Sequence, residues 1–360
     1  MTKARNIAEL ANDISVDSNR DVTLSNLRSD QPMMFRNRII NGNFDIWQRG
    51  TSQTSNGYGS ADRWRSFASG STLTASQQSF TLGQTDVPGN PKYYFRYVVS
   101  SVSGSGNSGR LMQRIEDVSS LAGQTVTLSF WAKADSNKNI ATEFLQNFGS
   151  GGSPSATVTT IGVTTHNLTT SWQKFTATFS IPSISGKTIG SNNNDYSRLS
   201  FWFDAGSDWN SRTNSLGQQS GTFDIAQIQL EEGTVPTPFE HRPYGTELAL
   251  CQRYCVVWKD NSHIGTGTAY NATSMNITVP VPVPMRATPS PSKTTAPSGN
   301  WLYVYVGAVG QFSNSTPEVG ESGIGCYRIY TPSSGSNWTV GQGSWCQVID
   351  DATFTLSAEL

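Results

Sequence analysis

The feature that most constrains this chain is a period of two that recurs in strand after strand. In Val126 to Ala132, the side chains of Val126, Leu128, Phe130 and Ala132 point one way, and Thr127, Ser129 and Trp131 point the other. Phe175, Ala177, Phe179 and Ile181 alternate with Lys174, Thr176, Thr178 and Ser180 in the same manner, as do Leu199, Phe201 and Phe203 with Ser200, Trp202 and Asp204. Alternation with one polar face describes antiparallel sheets that bury one side and leave the other to solvent. One stretch changes phase: Phe223 and Ile225 lie on one parity, Ile228 and Leu230 on the other. A β-bulge near Ala226 reconciles them. Connections rich in Gly, Ser and Asn, such as residues 104–109, 149–155 and 190–194, separate the strands.

Composition agrees. Charged residues are only 14% of the chain, aromatics reach 11%, and there are 33 glycines, a balance poor in helix formers and rich in strand and turn formers. The expected fold class is all-β: a jelly-roll β-sandwich followed by a smaller distal β-sandwich, with a short N-terminal helical or extended arm. The 360 residues divide into an arm (1–35), the jelly-roll body (36–245), a helical junction (246–256) and a distal β region (257–360). In the arm, Ile7, Leu10, Ala11 and Ile14 recur at helical spacing, which predicts a short helix over Thr2 to Ile14 that needs a partner. Ile7, Leu10 and Ile14 are therefore candidate oligomer contacts. The junction helix is expected over Glu247 to Tyr254, after Pro243 and Gly245.

In the distal region Pro280, Pro282 and Pro284 alternate with apolar residues from Met275 to Met285. Proline donates no ladder hydrogen bond, so this segment is expected to be an edge strand. From Trp301 to Val306 both faces are apolar: Trp301, Tyr303 and Tyr305 on one, Leu302, Val304 and Val306 on the other. That pattern suits a strand between its own core and a neighbouring subunit, so Trp301, Tyr303 and Tyr305 join the candidate interface.

The net charge of −1 supplies no field toward nucleic acid or anionic lipid, and no apolar run approaches the ~20 residues a membrane span needs. No nucleic-acid partner and no membrane insertion are expected. The first residues lack the apolar core of a secretory signal, which places synthesis and assembly in a cytoplasm. Cys251, Cys255, Cys326 and Cys346 lack metal-ligand spacing, and reduced buried thiols are expected over a Cys326–Cys346 bridge.

No residue set assembles into a catalytic site. Asp204 with Asp208, and Glu231 with Glu232, are the nearest approaches to paired carboxylates, and adjacent Glu231 and Glu232 point to opposite faces of a strand. His166, His241 and His263 are scattered. The expectation is a non-enzyme. Saccharide contact has a better basis, because pyranose rings lie against flat aromatic faces. Trp131 and Trp202 sit on otherwise polar strand faces, Trp209 lies in a polar loop, and Tyr58 and Trp64 flank another, so these five are the candidate sugar-binding residues.

Several strings resemble those of tailed-bacteriophage fibre proteins. Arg36-Asn-Arg-Ile-Ile-Asn-Gly-Asn-Phe-Asp-Ile-Trp-Gln-Arg-Gly50 and Ser60-Ala-Asp-Arg-Trp-Arg65 are similar to the opening of a module found there. Met112-Gln-Arg-Ile-Glu-Asp117 and Leu121-Ala-Gly-Gln-Thr-Val-Thr-Leu-Ser-Phe-Trp-Ala-Lys133 continue it, and Leu230-Glu-Glu-Gly-Thr-Val-Pro-Thr-Pro-Phe-Glu240 with Arg242-Pro-Tyr-Gly245 closes it. Leu248-Ala-Leu-Cys-Gln-Arg-Tyr254 and Met285-Arg-Ala-Thr-Pro289 resemble the connector and distal motifs. The resemblance implies a virion protein: a short homotrimeric tail fibre or adhesin that docks on other virion proteins through its N-terminal arm and meets host cell-surface polysaccharide. The alternative it leaves is a scaffold, decoration or capsid-fibre protein that binds no ligand. A more distant resemblance is to jelly-roll carbohydrate-binding modules, which open on a string like Asn41-Gly-Asn-Phe-Asp45 and end on an acidic strand like Phe223-Asp-Ile225. It implies a structural calcium with Asp45 and Asp224 among its oxygen ligands.

Overall fold

The structure is a computed structural model that describes residues 14–16, 22–24, 35–272, 274–306, 309–313, 318–323, 326–332 and 338–360. Its first strands, β1 (Ile14–Val16) and β2 (Val22–Leu24), pair with each other. Ile14 is thus extended, which overturns the expectation that a helix reaches it; Ile7 and Leu10 lie outside the described residues.

The body begins with β3 (Ser52–Gln53), β4 (Arg65–Ser69), β5 (Thr72–Ser79) and β6 (Tyr93–Ser100). There follow β7 (Ser108–Glu116), β8 (Thr125–Ala134), β9 (Lys138–Asn147) and β10 (Val158–Leu168). Then come β11 (Gln173–Ser180), β12 (Tyr196–Ala205), the short helix α1 (Asn210–Thr213) and β13 (Gly221–Glu232). They form two antiparallel sheets, a five-stranded one in the order β10-β9-β12-β7-β4 and a six-stranded one in the order β11-β8-β13-β6-β5-β3. The alternating apolar residues face each other across the gap. Val126, Leu128, Phe130 and Ala132 of β8 meet Leu199, Phe201 and Phe203 of β12, with Phe130 edge-on to Phe201 at 5.1 Å. Each such buried aromatic contributes about 1.5–3 kcal/mol of transfer free energy.

The phase change in β13 is a bulge. Register against β8 slips between Ala226 and Gln229, Gln227 takes φ 48°, and Phe223, Ile225, Ile228 and Leu230 all reach the core.

Helix α2 (Tyr244–Gln252) follows Pro243 directly, starting three residues before Glu247 with Gly245 in its first turn and ending two residues before Tyr254. The distal strands are β14 (Cys255–Lys259), β15 (His263–Asn271), β16 (Ser274–Pro280), β17 (Ser290–Thr294) and β18 (Leu302–Val306). They continue as β19 (Val309–Ser313), β20 (Glu318–Gly323), β21 (Cys326–Pro332), β22 (Gly343–Val348) and β23 (Thr353–Ser357). A three-stranded sheet, β14-β23-β17, and a seven-stranded one, β19-β18-β22-β15-β16-β21-β20, enclose a second apolar core around Ile277, Trp301, Val304 and Phe354. Cys251, Cys255 and Cys346 are free and buried, while the side chain of Cys326 lies outside the described residues.

Two expectations for this region change. The proline-punctuated segment is not an edge: β16 lies between β15 and β21, because the strand stops at Pro280 and leaves Pro282 and Pro284 beyond the ladder. Trp301 is not an interface residue either. It precedes β18, is fully buried and stacks on Phe354 at 5.2 Å. Tyr303 and Tyr305 are half-buried, and Tyr305 stacks on Trp345 at 3.6 Å, with His263 on the other side of that indole at 4.6 Å.

Candidate functional site

Of the five candidate sugar contacts, Trp131 lines a groove. It projects from the outer face of β8, opposite Lys174 of β11 and Ala226 of β13. The bulge that follows Ala226 turns Gln227 toward Pro88, whose carbonyl accepts from Nε2 at 2.7 Å. Bulges commonly re-aim side chains beside binding sites. Trp131, Lys174, Gln227, Thr237, Phe239 and His241 line a groove of about 480 Å³, with Phe239 edge-on to His241 at 5.1 Å. Gly89 also lines it at φ +79°, a conformation glycine adopts without strain, and a Cβ there would lie 2.6 Å from His241 Nε2. A flat indole among amide, hydroxyl and ammonium donors suits a saccharide.

The other four are placed differently. Trp64 is wholly buried against Phe44 (5.5 Å) and donates from Nε1 to the Asn41 carbonyl at 3.0 Å, so it is core. Tyr58 donates to the Leu360 carbonyl at 3.3 Å and packs near Arg49, facing the distal strands rather than a ligand. Trp202 does sit on the outer face of β12, but it is fully buried. The segment that ends in α1 lays Trp209 across it at 5.4 Å, and its Nε1 donates to Glu143 at 3.2 Å. Trp209, half-buried, donates to the Gly106 carbonyl at 3.0 Å.

The face on which Trp202 lies is the second notable surface. Strand order brings Phe67, Arg110 and Trp202 side by side across β4, β7 and β12, and two residues along it places Arg65, Met112, Ser200 and Glu143 in one row. Next along, Arg114 lies directly opposite Arg198. Like charges opposite one another destabilise a sheet, so the pairing opposes folding. Glu143, fully buried, is already engaged: Arg212 holds it by two bonds of 2.6 and 2.8 Å, and the Thr160 amide adds a third at 3.1 Å. Sequence reasoning marked Trp202 and missed the arginines. They are far apart in the chain, and only the order β4-β7-β12 assembles them.

Asp45 and Asp224, the carboxylates expected to hold calcium, each have protein partners of their own. Both oxygens of Asp224 accept from Arg96, at 2.7 and 2.9 Å, and Lys133 lies 3.8 Å away. Asp45 accepts from Asn43 at 2.8 Å, and burial raises its carboxyl above the usual carboxylate range. Among the described residues no group of three or more His, Cys, Asp or Glu is arranged to hold a metal. A cation does tie the opening string to the closing one, but it is Arg242. Its guanidinium donates to the carbonyls of Asn37 and Ile39 and pairs with Glu240 and Glu247, each at 3.3 Å. The carboxylates once considered for catalysis are also committed. Asp204 accepts from Ser71, Ser101 and the Gln219 amide, and Glu231 from Gln229 and Thr237.

With this geometry in hand, comparison with known proteins is informative for the body. Residues 37–192 match the family model described as Carbohydrate binding domain. No curated protein matches the chain. Among solved structures, one titled "CBM4 structure and function" is 19% identical over 54% of this chain and 98% of its own, with a TM-score of 0.31. A putative sugar binding protein from Bacteroides thetaiotaomicron is 15% identical over 55% of this chain and all of its own, with a TM-score of 0.34. The enzymatically active domain of bacteriophage CBA120 tailspike protein 4 is 12% identical over 55% of this chain and 22% of its own, with a TM-score of 0.30. The family match makes residues 37–192 of the body similar to carbohydrate-binding domains, and the two-sheet order rests on the strand pairing itself.

Proposed function

We propose that this protein is a non-catalytic, glycan-binding component of a bacteriophage virion, a short homotrimeric fibre whose jelly-roll body contacts host surface polysaccharide. The observation that carries the glycan reading is the groove built around Trp131, with Lys174, Gln227, Thr237 and His241 as its polar walls. The match of residues 37–192 to a carbohydrate-binding family supports it, and the strings shared with phage fibre proteins support the virion setting. The aromatic tract of Tyr303, Tyr305, Trp345 and His263 on the distal sheet is the surface we assign to contact between copies. Retention on a panel of bacterial surface polysaccharides tests the binding. Trp131→Ala is expected to lower affinity at least tenfold, about 1.4 kcal/mol, as loss of a buried aromatic anchor does. Unchanged retention would remove Trp131 from the site. Light scattering on the purified protein tests the assembly, and a stable monomer overturns the trimer.

A further inference from the structure

The outer face of the five-stranded sheet carries Arg65, Arg110, Arg114 and Arg198, with Arg212 of α1 laid over it, and Arg212 holds the carboxylate of Glu143. Glu116, at the end of the same strand face, is taken by Arg253 at 2.9 Å and by the Tyr254 hydroxyl. Arg110 is 9% exposed, and its Nε and Nη1 are buried without a hydrogen-bond acceptor. Its guanidinium lies over Phe67 and Trp202, each at 4.6 Å, and over Trp209 at 5.3 Å. Arg198 donates from Nε only to Ser200, at 3.1 Å. Arg114 lies over Tyr196 at 4.4 Å and Arg65 over Phe67 at 5.3 Å. Arg110 is therefore fixed by stacking with two of its donors unspent, and Arg198 beside it uses its Nε on Ser200. Stacking fixes a guanidinium while leaving its N–H fork free for a planar anion.

We infer that this face is a second saccharide site, distinct from the Trp131 groove, and that it takes a carboxylate-bearing sugar through Arg110 and Arg198. The inference rests on the glycan reading above for the class of ligand. The charge imbalance supplies the anion preference, and the half-buried rings of Phe67, Trp209 and Tyr196 supply flat faces beside the charges for pyranose rings. Crowding of like charge agrees with it: burial first, then Arg198 and Arg212, push Arg110 down to about 9, and burial with Arg212 brings Arg198 down to about 10. A bound carboxylate relieves both.

Immobilised polygalacturonate, alginate and hyaluronan test the proposal, with methyl-esterified polygalacturonate as the uncharged counterpart. The intact protein should be retained on at least one of the acids. Methyl esterification should weaken that retention at least tenfold, as should Arg110→Met or Arg198→Leu, and about 0.3 M salt should weaken it further. Retention on none of the three acids, or retention insensitive to both arginine variants, overturns the acidic site. Binding to neutral polysaccharide that survives in that case shows that the broader glycan reading stands alone. A change of oligomeric state in Arg110→Met, with acid retention unchanged, also overturns it, because a carboxylate of another copy is then the partner.

Discussion

Arg110 can be removed with a predictable gain in stability, and the size of the gain follows from its surroundings. Two of its donors are buried without acceptors, each costing about 1–3 kcal/mol. Three cation–π contacts oppose this, worth about 0.5–2 kcal/mol each. Arg110→Met keeps a stem of similar reach, and thioether–aromatic contacts restore about 0.3–1.5 kcal/mol. At mid-range these terms leave the variant ahead by about 1 kcal/mol, and repulsion from Arg65, Arg198 and Arg212 adds to it. For a body of about 200 residues that raises Tm by roughly 2–4 °C per kcal/mol. Differential scanning calorimetry without added glycan measures it. The cation is disfavoured throughout the range below its lowered value of about 9, so the gain should be flat from pH 5 to 8. A fall in Tm of 2 °C or more would refute the reasoning, since it would mean that stacking holds the guanidinium in net stability.

The same substitution at Arg242 should have the opposite sign. Arg242→Met strands Glu240, Glu247 and two carbonyls and is expected to cost about 3–5 kcal/mol by denaturant unfolding, whereas a chelator leaves the midpoint unchanged. His166 supplies a pH limit. Burial between Phe130 and Phe175, with Thr142 at 2.9 Å, lowers its imidazole to about 4. The unfolded chain then binds the extra proton, so stability is full above about 6.5 and falls by up to ~3 kcal/mol as pH drops toward 4. In His166→Phe that part of the acid slope should vanish in urea titrations at stepped pH.

The strands that build the body were readable because burial on one side leaves a period of two, and β8 and β11 keep it throughout, β12 as far as Trp202. The bulge in β13 was readable for the same reason, as a broken parity. What period cannot tell is whether a polar face stays open. Trp131 and Trp202 look alike in sequence, each an aromatic among polar neighbours, yet Trp209 and Arg212 cover one and leave the other in a groove. The prolines misled in a related way. Proline excludes a ladder bond where it stands, but β16 ends at Pro280, so the rule applies past the strand rather than along it. Asp45 and Asp224 likewise had a ligand's chemistry without a ligand's geometry, because Arg96 and Lys133 answer the second carboxylate and Asn43 the first.

Arg110 and Arg242 show how structure and function separate in this chain. Both are almost wholly buried cations, Arg242 in the closing string and Arg110 on β7. Around Arg242 the chain supplies carbonyls and carboxylates, so the charge is an internal fastening. Around Arg110 it supplies aromatic faces and more arginines, so the charge is left with donors to spend on something outside the chain. A fold under no other demand would shed such a residue, because an apolar one is more stable there. Its presence is best explained by a ligand that brings the missing oxygens.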